Sequence, residues 1–185
     1  MRMQFDPAKT AVVITAWPDN CVAPELLAWL TATVGIPWSQ IRWHNHPQAD
    51  RDVCAAYHTA VSLALASNAE HLLFADRDIR PHAINTRPWL TTPGSVVGAI
   101  YDVEGGHAWD DPGAIHTGLL RIDRHSLESL PRPLFQWIYN DDYTRIVGCP
   151  CVHLRRKLNA AGIPTRHAGW VGHTPRHRHT PEPAA

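Results

Sequence analysis

The fold is decided by the stretch 72–81, which reads Leu72-Leu73-Phe74-Ala75-Asp76-Arg77-Asp78-Ile79-Arg80-Pro81. Its apolar first half predicts a buried strand. Side chains two residues apart on a strand point to the same face and lie about 6–7 Å apart, so Asp76 and Asp78 are expected side by side. Pro81 is expected to end this strand, which leaves the two acids at its carboxyl end.

Two carboxylates held this close repel each other, and a bound divalent cation relieves the repulsion. Mg2+ and Mn2+ prefer oxygen ligands, and open α/β sheets bind their ligands beyond the carboxyl ends of the strands. The sequence therefore predicts a Mn2+ or Mg2+ site at Asp76 and Asp78. The alternative is a solvated polar loop that follows a buried strand.

The chain has 185 residues, a length that suits one domain. Lys and Arg number 17 and equal Asp and Glu, also 17, so total charge points neither to nucleic acid nor to an acidic membrane surface. The four cysteines are too few for a disulfide scaffold. Without an apolar leader or a membrane-length apolar run, the sequence predicts a cytoplasmic protein. We expect a single domain over residues 1–173 and a flexible His-, Pro- and Arg-rich tail over 174–185.

Segments with strand and helix patterns alternate along the chain. This order predicts an α/β fold, a three-layer α/β/α sandwich with a mostly parallel, Rossmann-related central sheet. Asp123 is expected to cap a short helix, and Gly162 to end a helix that includes Cys151 and Leu158. The long segment 102–113 is expected to be a functional loop. The remaining predicted strands are 10–17, 40–44, 95–101, 114–122 and 164–171, and the remaining predicted helices are 24–34 and 52–67.

Several stretches, taken in order, resemble the GT-A fold glycosyltransferases, which use nucleotide sugars and carry an Asp-X-Asp signature. The segment 68–81 resembles the family's central stretch, and the strand 10–17 resembles its first strand, whose end meets the nucleobase. The other similar stretches are Asp50-Arg51-Asp52, the segment 116–124, the helix and Gly-Ile turn 154–163, and the strand end Trp170-Val171-Gly172-His173.

The resemblance implies a metal-dependent transfer of a sugar from a UDP- or GDP-sugar donor to an unknown hydroxyl acceptor. Asp76 and Asp78, with His173 as a third ligand, would hold Mn2+ or Mg2+. The nucleotide would contact Thr15, Trp17, Asp19, Arg51 and Asp76. The acceptor would contact Trp109, Asp110 and Gly118. The chain is short for this family, so a homo-oligomer could supply missing parts of the acceptor site.

The chain departs from the family where many inverting members carry the acid that deprotonates the acceptor, because Pro150 and Cys151 stand there. Asp141 or Asp142 is the candidate catalytic base; a retaining mechanism or lost activity are the alternatives. A catalytically inactive nucleotide-sugar binding module and a nucleotidyltransferase on a related fold also stay open, although residues 15–21 lack the Gly-rich phosphate loop of the latter. Cys149, Cys151 and His153 could bind zinc, but Cys151 fits the core face of its helix.

Overall fold

The computed structural model describes residues 5–16, 21–44, 53–82, 84, 86–103 and 115–173. Within these residues the strands are β1 Thr10–Thr15, β2 Ile41–His44, β3 His71–Asp76, β4 Ile79–Pro81, β5 Val96–Val103, β6 Leu119–Asp123, β7 Ile138–Tyr139, β8 Ile146–Gly148 and β9 Thr165–His173. The α-helices are α1 Pro24–Ala28, α2 Val53–Leu65, α3 Arg87–Thr91, α4 Arg124–Ser129 and α5 Pro150–Ala160.

Seven strands form one mixed sheet in the order β2-β1-β3-β6-β5-β9-β4, and β7 and β8 form a separate hairpin. The pairs β1–β2, β1–β3 and β5–β9 are parallel, whereas β6 is antiparallel to both of its neighbours and β4 is antiparallel to β9. Most strands of the sheet therefore run in one direction, and the predicted α/β class with a mostly parallel sheet is confirmed.

Apolar side chains fill both faces of the sheet, so the predicted three layers are confirmed. Val13 and Phe74 point to one face, where they pack in a cluster with Ala60 of α2 and Leu158 of α5. The neighbouring strand residues, such as Ile14, point to the other face and pack in a second cluster with residues of α1 and α3. Burial on both faces explains why β1 and β3 are nearly continuous apolar runs.

Local sequence signals set several helix ends. The Asp123 side chain caps α4, because its Oδ1 accepts a hydrogen bond of 2.7 Å from the backbone N–H of Ser126. Helix α5 ends before Gly162, whose φ of +68° is readily adopted by glycine. Helix α1 begins at Pro24 and continues as a π-helical turn over Trp29–Thr33. The predicted helix starts and stops are confirmed at these positions.

The prediction that one strand runs to Pro81 is wrong. Strand β3 ends at Asp76, residues 77–78 form a turn, and β4 starts at Ile79 on the far edge of the sheet, where it pairs with β9. Ile79 is fully buried in the second apolar cluster, so it reaches the core from β4 and not from an extension of β3. The predicted strand 114–122 likewise begins later, at Leu119.

The segment predicted as a long loop begins inside β5, which continues to Val103, and residues 104–114 lie outside the described residues. The tail predicted over 174–185 also lies outside them, so the division into domain and tail stays a prediction. None of the helices in the described part of the chain is long and apolar enough to cross a membrane.

A substitution at Gly98 in β5 can test how tightly the sheet packs against the segment that leads to β6. A Cβ at position 98 would lie 2.9 Å from Cγ1 of the fully buried Ile115, whereas a Cβ at Gly172 would lie 3.5 Å from its nearest neighbour. We expect Gly98→Ala to lower the free energy of unfolding by about 1–3 kcal/mol through overpacking, and Gly172→Ala to change it by less than about 1 kcal/mol. Urea denaturation of both variants measures the difference, and equal effects would contradict this packing argument.

Candidate functional site

The carboxyl end of β3 brings together residues from three distant parts of the sequence. The Asp76 backbone N–H donates a hydrogen bond of 2.8 Å to the carbonyl of Gly118, which lies in the turn before β6. The Thr15 hydroxyl, at the end of β1, donates a hydrogen bond of 2.7 Å to Asp76 Oδ1. Thr15 and Asp76 are also register partners in the sheet. Thr15, Asp76 and Gly118 therefore lie at one place in the fold.

We call the segment Asp76-Arg77-Asp78 the acid turn. Its backbone is fixed on both sides, because the Arg77 N–H donates to the Thr15 carbonyl at 3.1 Å and the Ala23 N–H donates to the Arg77 carbonyl at 2.9 Å. Arg77 is buried, whereas Asp76 and Asp78 are half-buried. The turn is thus held in one conformation while its carboxylates stay accessible.

A cavity of about 500 Å³ opens beside the acid turn. Asp78 and Glu25 give its wall negative groups, and Arg77 and Arg80 give it positive ones. Such a wall can attract a cation and an anion together, since each finds opposite charge nearby. The other lining residues are Cys21, Val22, Ala23 and Pro24.

The described residues hold no group of three or more His, Cys, Asp or Glu side chains arranged to bind a metal. Asp76 and Asp78 supply oxygen donors, the type that Mn2+ and Mg2+ prefer, but further ligands would have to come from a bound molecule or water. The backbone of His173 pairs with Ile79, next to Asp78, and with Val103. Its side chain lies outside the description, so its role as a ligand stays a prediction.

The zinc alternative gains no support from the described residues. Cys149, Cys151 and His153 are all described, as are Cys54 and His58, and they form no such ligand group. Burial lowers the pKa of His153.

Five of the predicted site residues lie outside the described residues. They are Trp17, Asp19 and Arg51, predicted for the nucleotide, and Trp109 and Asp110, predicted for the acceptor. Their roles stay predictions.

The two candidate bases, Asp141 and Asp142, lie in the turn of the β7–β8 hairpin and are exposed. Asp142 Oδ1 accepts hydrogen bonds from Thr144, at 3.1 Å from the backbone N–H and 2.6 Å from the hydroxyl. These hydrogen bonds lower the pKa of Asp142. A lower pKa makes a carboxylate a weaker base. In the absence of substrate, Asp142 is therefore a weaker proton acceptor than an ordinary aspartate.

Sequence reasoning missed a second polar group beside the acid turn. The Thr117 hydroxyl lies 3.6 Å from the Cys151 sulfur. The pKa of Tyr57 is raised by burial and by the negative charge of Asp76. Tyr57 lies in the helix predicted over 52–67, and helical periodicity does not reveal where the hydroxyl of a tyrosine points. The sequence contained one indication of this group, because Thr117 directly precedes Gly118, a predicted site residue.

A scan against models of protein families finds no match to this sequence, and a search of curated proteins finds no significant one. A search of solved structures does find similar folds. One is the crystal structure of A197 from STIV, with a TM-score of 0.50, 15% identity, and coverage of 90% of this chain and 82% of that chain.

A second similar structure is GalNAc-T7, crystallised with UDP, GalNAc and Mn2+. It aligns with a TM-score of 0.52 and 14% identity over 91% of this chain, which spans only 44% of that chain's length. At this identity the likeness concerns the fold alone. The chain has a glycosyltransferase-like α/β fold with a structural neighbour of the GT-A type.

The hydrogen bond between Thr15 and Asp76 can be tested by removing only the hydroxyl. We expect Thr15→Val to lower the free energy of unfolding by about 1 kcal/mol, because the Asp76 carboxylate loses a donor in a partly buried place. Thr15→Ser keeps the donor and should retain most of the stability. Urea denaturation measures both variants, and a Thr15→Val protein as stable as Thr15→Ser would show that the hydrogen bond contributes little.

Proposed function

We propose that this protein is a metal-dependent glycosyltransferase, which moves a sugar from a UDP- or GDP-sugar to a hydroxyl acceptor. One observation carries the proposal: the acid turn lies at the carboxyl end of a central strand in a GT-A-like sheet. This is where open α/β sheets bind ligands. GalNAc-T7, the similar structure described above, was crystallised with a nucleoside diphosphate and Mn2+, which supports the same ligand class here.

The charges around the acid turn support a diphosphate as the ligand. Arg77 and Arg80 line the cavity and would attract phosphate oxygens, while Asp78 would attract a cation bound to the same phosphates. Asp76 and Asp78 would hold Mn2+ or Mg2+, with His173 proposed as a further ligand. When bound, such an ion neutralises charge on the leaving diphosphate. The Thr15 hydroxyl orients the Asp76 carboxylate through its hydrogen bond.

The transfer also needs a base that takes up the proton of the acceptor hydroxyl. We assign the base to Asp141 or Asp142, because both are exposed carboxylates on the hairpin that leads directly into α5. Thr144 holds the Asp142 carboxylate in a fixed orientation. Gly118, whose carbonyl contacts the Asp76 N–H, marks the proposed acceptor side of the acid turn. Trp109 and Asp110 complete the proposed acceptor set, and a homo-oligomer stays a prediction.

A second candidate is a nucleotide-sugar binding module without turnover. It is favoured by Pro150-Cys151 at the start of α5, where the resemblance would place an acidic base, and by the lowered pKa of Asp142. Such a module would bind the same donor at the acid turn. The two candidates differ only in whether the sugar is transferred.

Binding of nucleoside diphosphates tests the metal and the acid turn. We expect UDP or GDP with Mn2+ to raise the melting temperature by roughly 5–10 °C at a ligand concentration of about 100 Kd, and neither nucleotide to do so without metal. Asp78→Ala should abolish the shift while the variant keeps its fold, because the cation loses a ligand. Differential scanning fluorimetry measures the shift, and circular dichroism checks the fold.

The matched control is Glu70→Ala, which removes an acid that precedes the other end of β3. Glu70 is exposed and pairs with Lys9 at 2.9 Å, so its loss should leave the nucleotide-dependent shift unchanged. A shift of equal size without metal, or one that persists in Asp78→Ala, would contradict the proposed metal site.

Turnover separates the enzyme from the module. We expect UDP- or GDP-sugars to release nucleotide in the presence of Mn2+ and a hydroxyl acceptor from a broad panel. Asp142→Asn or Asp141→Asn should lower kcat by about 100-fold or more for whichever residue is the base, with the Kd for UDP unchanged. If neither variant lowers kcat, the base is assigned wrongly; if UDP binds but no sugar is transferred or hydrolysed across the panel, the module is favoured.

A further inference from the structure

The β7–β8 hairpin carries an exposed aromatic surface. Tyr139 in β7 is 43% exposed and Tyr143 in the turn is 79% exposed, and we call these two residues the tyrosine pair. Their ring centroids lie 6.2 Å apart, and the ring planes are inclined by 34°. Ile146, the register partner of Tyr139 in β8, is also exposed and extends this surface. Contiguous exposed apolar surface often marks a binding site, so the hairpin is a candidate.

The backbone at Tyr143 adopts a conformation that is unfavourable for a bulky residue. Its φ of +59° lies in the left-handed region, which glycine and asparagine occupy more readily. Because the side chain is largely exposed, packing among the described residues contributes little to placing a tyrosine here. Backbone conformations of this kind cluster at functional sites. The ring is therefore held out from the chain by a backbone conformation that stability alone does not favour.

Hydrogen bonds hold the turn of the hairpin in one shape. The Asn140 side chain accepts from the Arg145 backbone N–H at 2.8 Å and donates to the Thr144 hydroxyl at 3.1 Å. The Asn140 N–H also donates to the Arg145 carbonyl at 2.9 Å. Thr144 in turn donates to the carboxylate of Asp142, which lies next to Asp141. One fixed turn thus presents both the tyrosine pair and two exposed carboxylates.

Aromatic rings beside carboxylates match the chemistry of a sugar ring. One face of a pyranose carries C–H groups, which are attracted to the partial negative charge on the faces of aromatic rings. The hydroxyl groups around its edge donate to carboxylates. Another exposed aromatic pair, Trp38 and Trp43, has ring planes inclined by 66° in an edge-to-face arrangement. The smaller inclination of the tyrosine pair suits a flat ligand that contacts both rings.

A chain of contacts connects the hairpin with the acid turn. Strand β8 leads directly into α5, and the Cys151 sulfur in the first turn of α5 lies 3.6 Å from the Thr117 hydroxyl. Gly118 follows Thr117, and its carbonyl accepts from the Asp76 N–H. The base of the hairpin and the acid turn therefore belong to the same region of the fold.

We propose that the hairpin binds a carbohydrate as the acceptor of the transfer, with its sugar ring stacked on Tyr139 and Tyr143 and a hydroxyl beside Asp141 or Asp142. This inference rests on the proposed function, because it names the chemical class of that acceptor. The tyrosine pair binds and orients the sugar and takes up no proton.

Saturation-transfer difference NMR on the full chain tests the sugar site without any donor. The probes are methyl β-glucoside, methyl β-galactoside and methyl α-mannoside, and sorbitol is the acyclic control. We expect at least one glycoside to receive saturation from the aromatic protons, most strongly at its ring C–H protons. Sorbitol should receive much less, since it has similar hydroxyl groups but no ring face.

Substitutions in the tyrosine pair locate the bound sugar. We expect Tyr139→Ala and Tyr143→Asn each to raise the Kd of the bound glycoside by about tenfold, because one stacking ring is lost. Tyr143→Phe keeps the ring and should retain binding. The matched control is Trp38→Ala, which removes an exposed aromatic ring of the other pair and should leave the Kd unchanged.

Urea denaturation separates binding from folding in these variants. Asparagine readily adopts the left-handed conformation, so Tyr143→Asn should not lower the urea midpoint. A higher Kd at an unchanged or higher midpoint would show that Tyr143 acts in binding and not in stability.

Two results would overturn the inference. One is that none of the glycosides receives saturation, and the other is that binding is equally strong in Tyr139→Ala and Tyr143→Asn. If no glycoside binds and sedimentation velocity shows self-association that Tyr143→Asn abolishes, the surface is a protein interface and the inference is wrong. Failure of the proposed function has a separate readout, because UDP and GDP with Mn2+ would then give no thermal shift even where a glycoside binds the tyrosine pair.

Discussion

The geometry at the end of β3 depends on one constraint: a strand paired on both sides must turn out of the sheet without leaving buried peptide groups unbonded. Three separate segments satisfy this requirement. The carbonyls of Gly118 and Thr15 accept from Asp76 and Arg77, and the Ala23 N–H donates to the Arg77 carbonyl. The backbone therefore fixes the acid turn, and the Thr15 hydroxyl adds a side-chain hydrogen bond to the Asp76 carboxylate.

This constraint also explains which parts could be predicted from sequence. The apolar runs of β1 and β3 are long enough to identify both strands, and the structure pairs them in parallel with Thr15 as the register partner of Asp76. The prediction of a single strand to Pro81 failed because the sequence does not show which neighbour a strand residue pairs with. Ile79, Arg80 and Pro81 form a separate strand, β4, which pairs with β9.

Contacts between distant segments could not be predicted for the same reason. Helix α5 was predicted almost completely, from its apolar face to its end at Gly162, yet its pattern does not show that the Cys151 sulfur lies 3.6 Å from the hydroxyl of Thr117, 34 residues away. Periodicity predicts that a residue is buried and leaves open which polar groups are buried with it.

The charges at the acid turn place a further condition on the proposed function. Asp78 lies beside Arg77 in the chain, and both line a cavity to which Arg80 also contributes, so a lone cation near Asp78 is repelled by two guanidinium groups. A lone diphosphate has the opposite difficulty, because it is attracted by the arginines and repelled by the acids. A complex of the cation with the diphosphate satisfies both sets of charges at once. In the proposed function the two would therefore bind cooperatively, and by linkage each would raise the affinity of the other by the same factor.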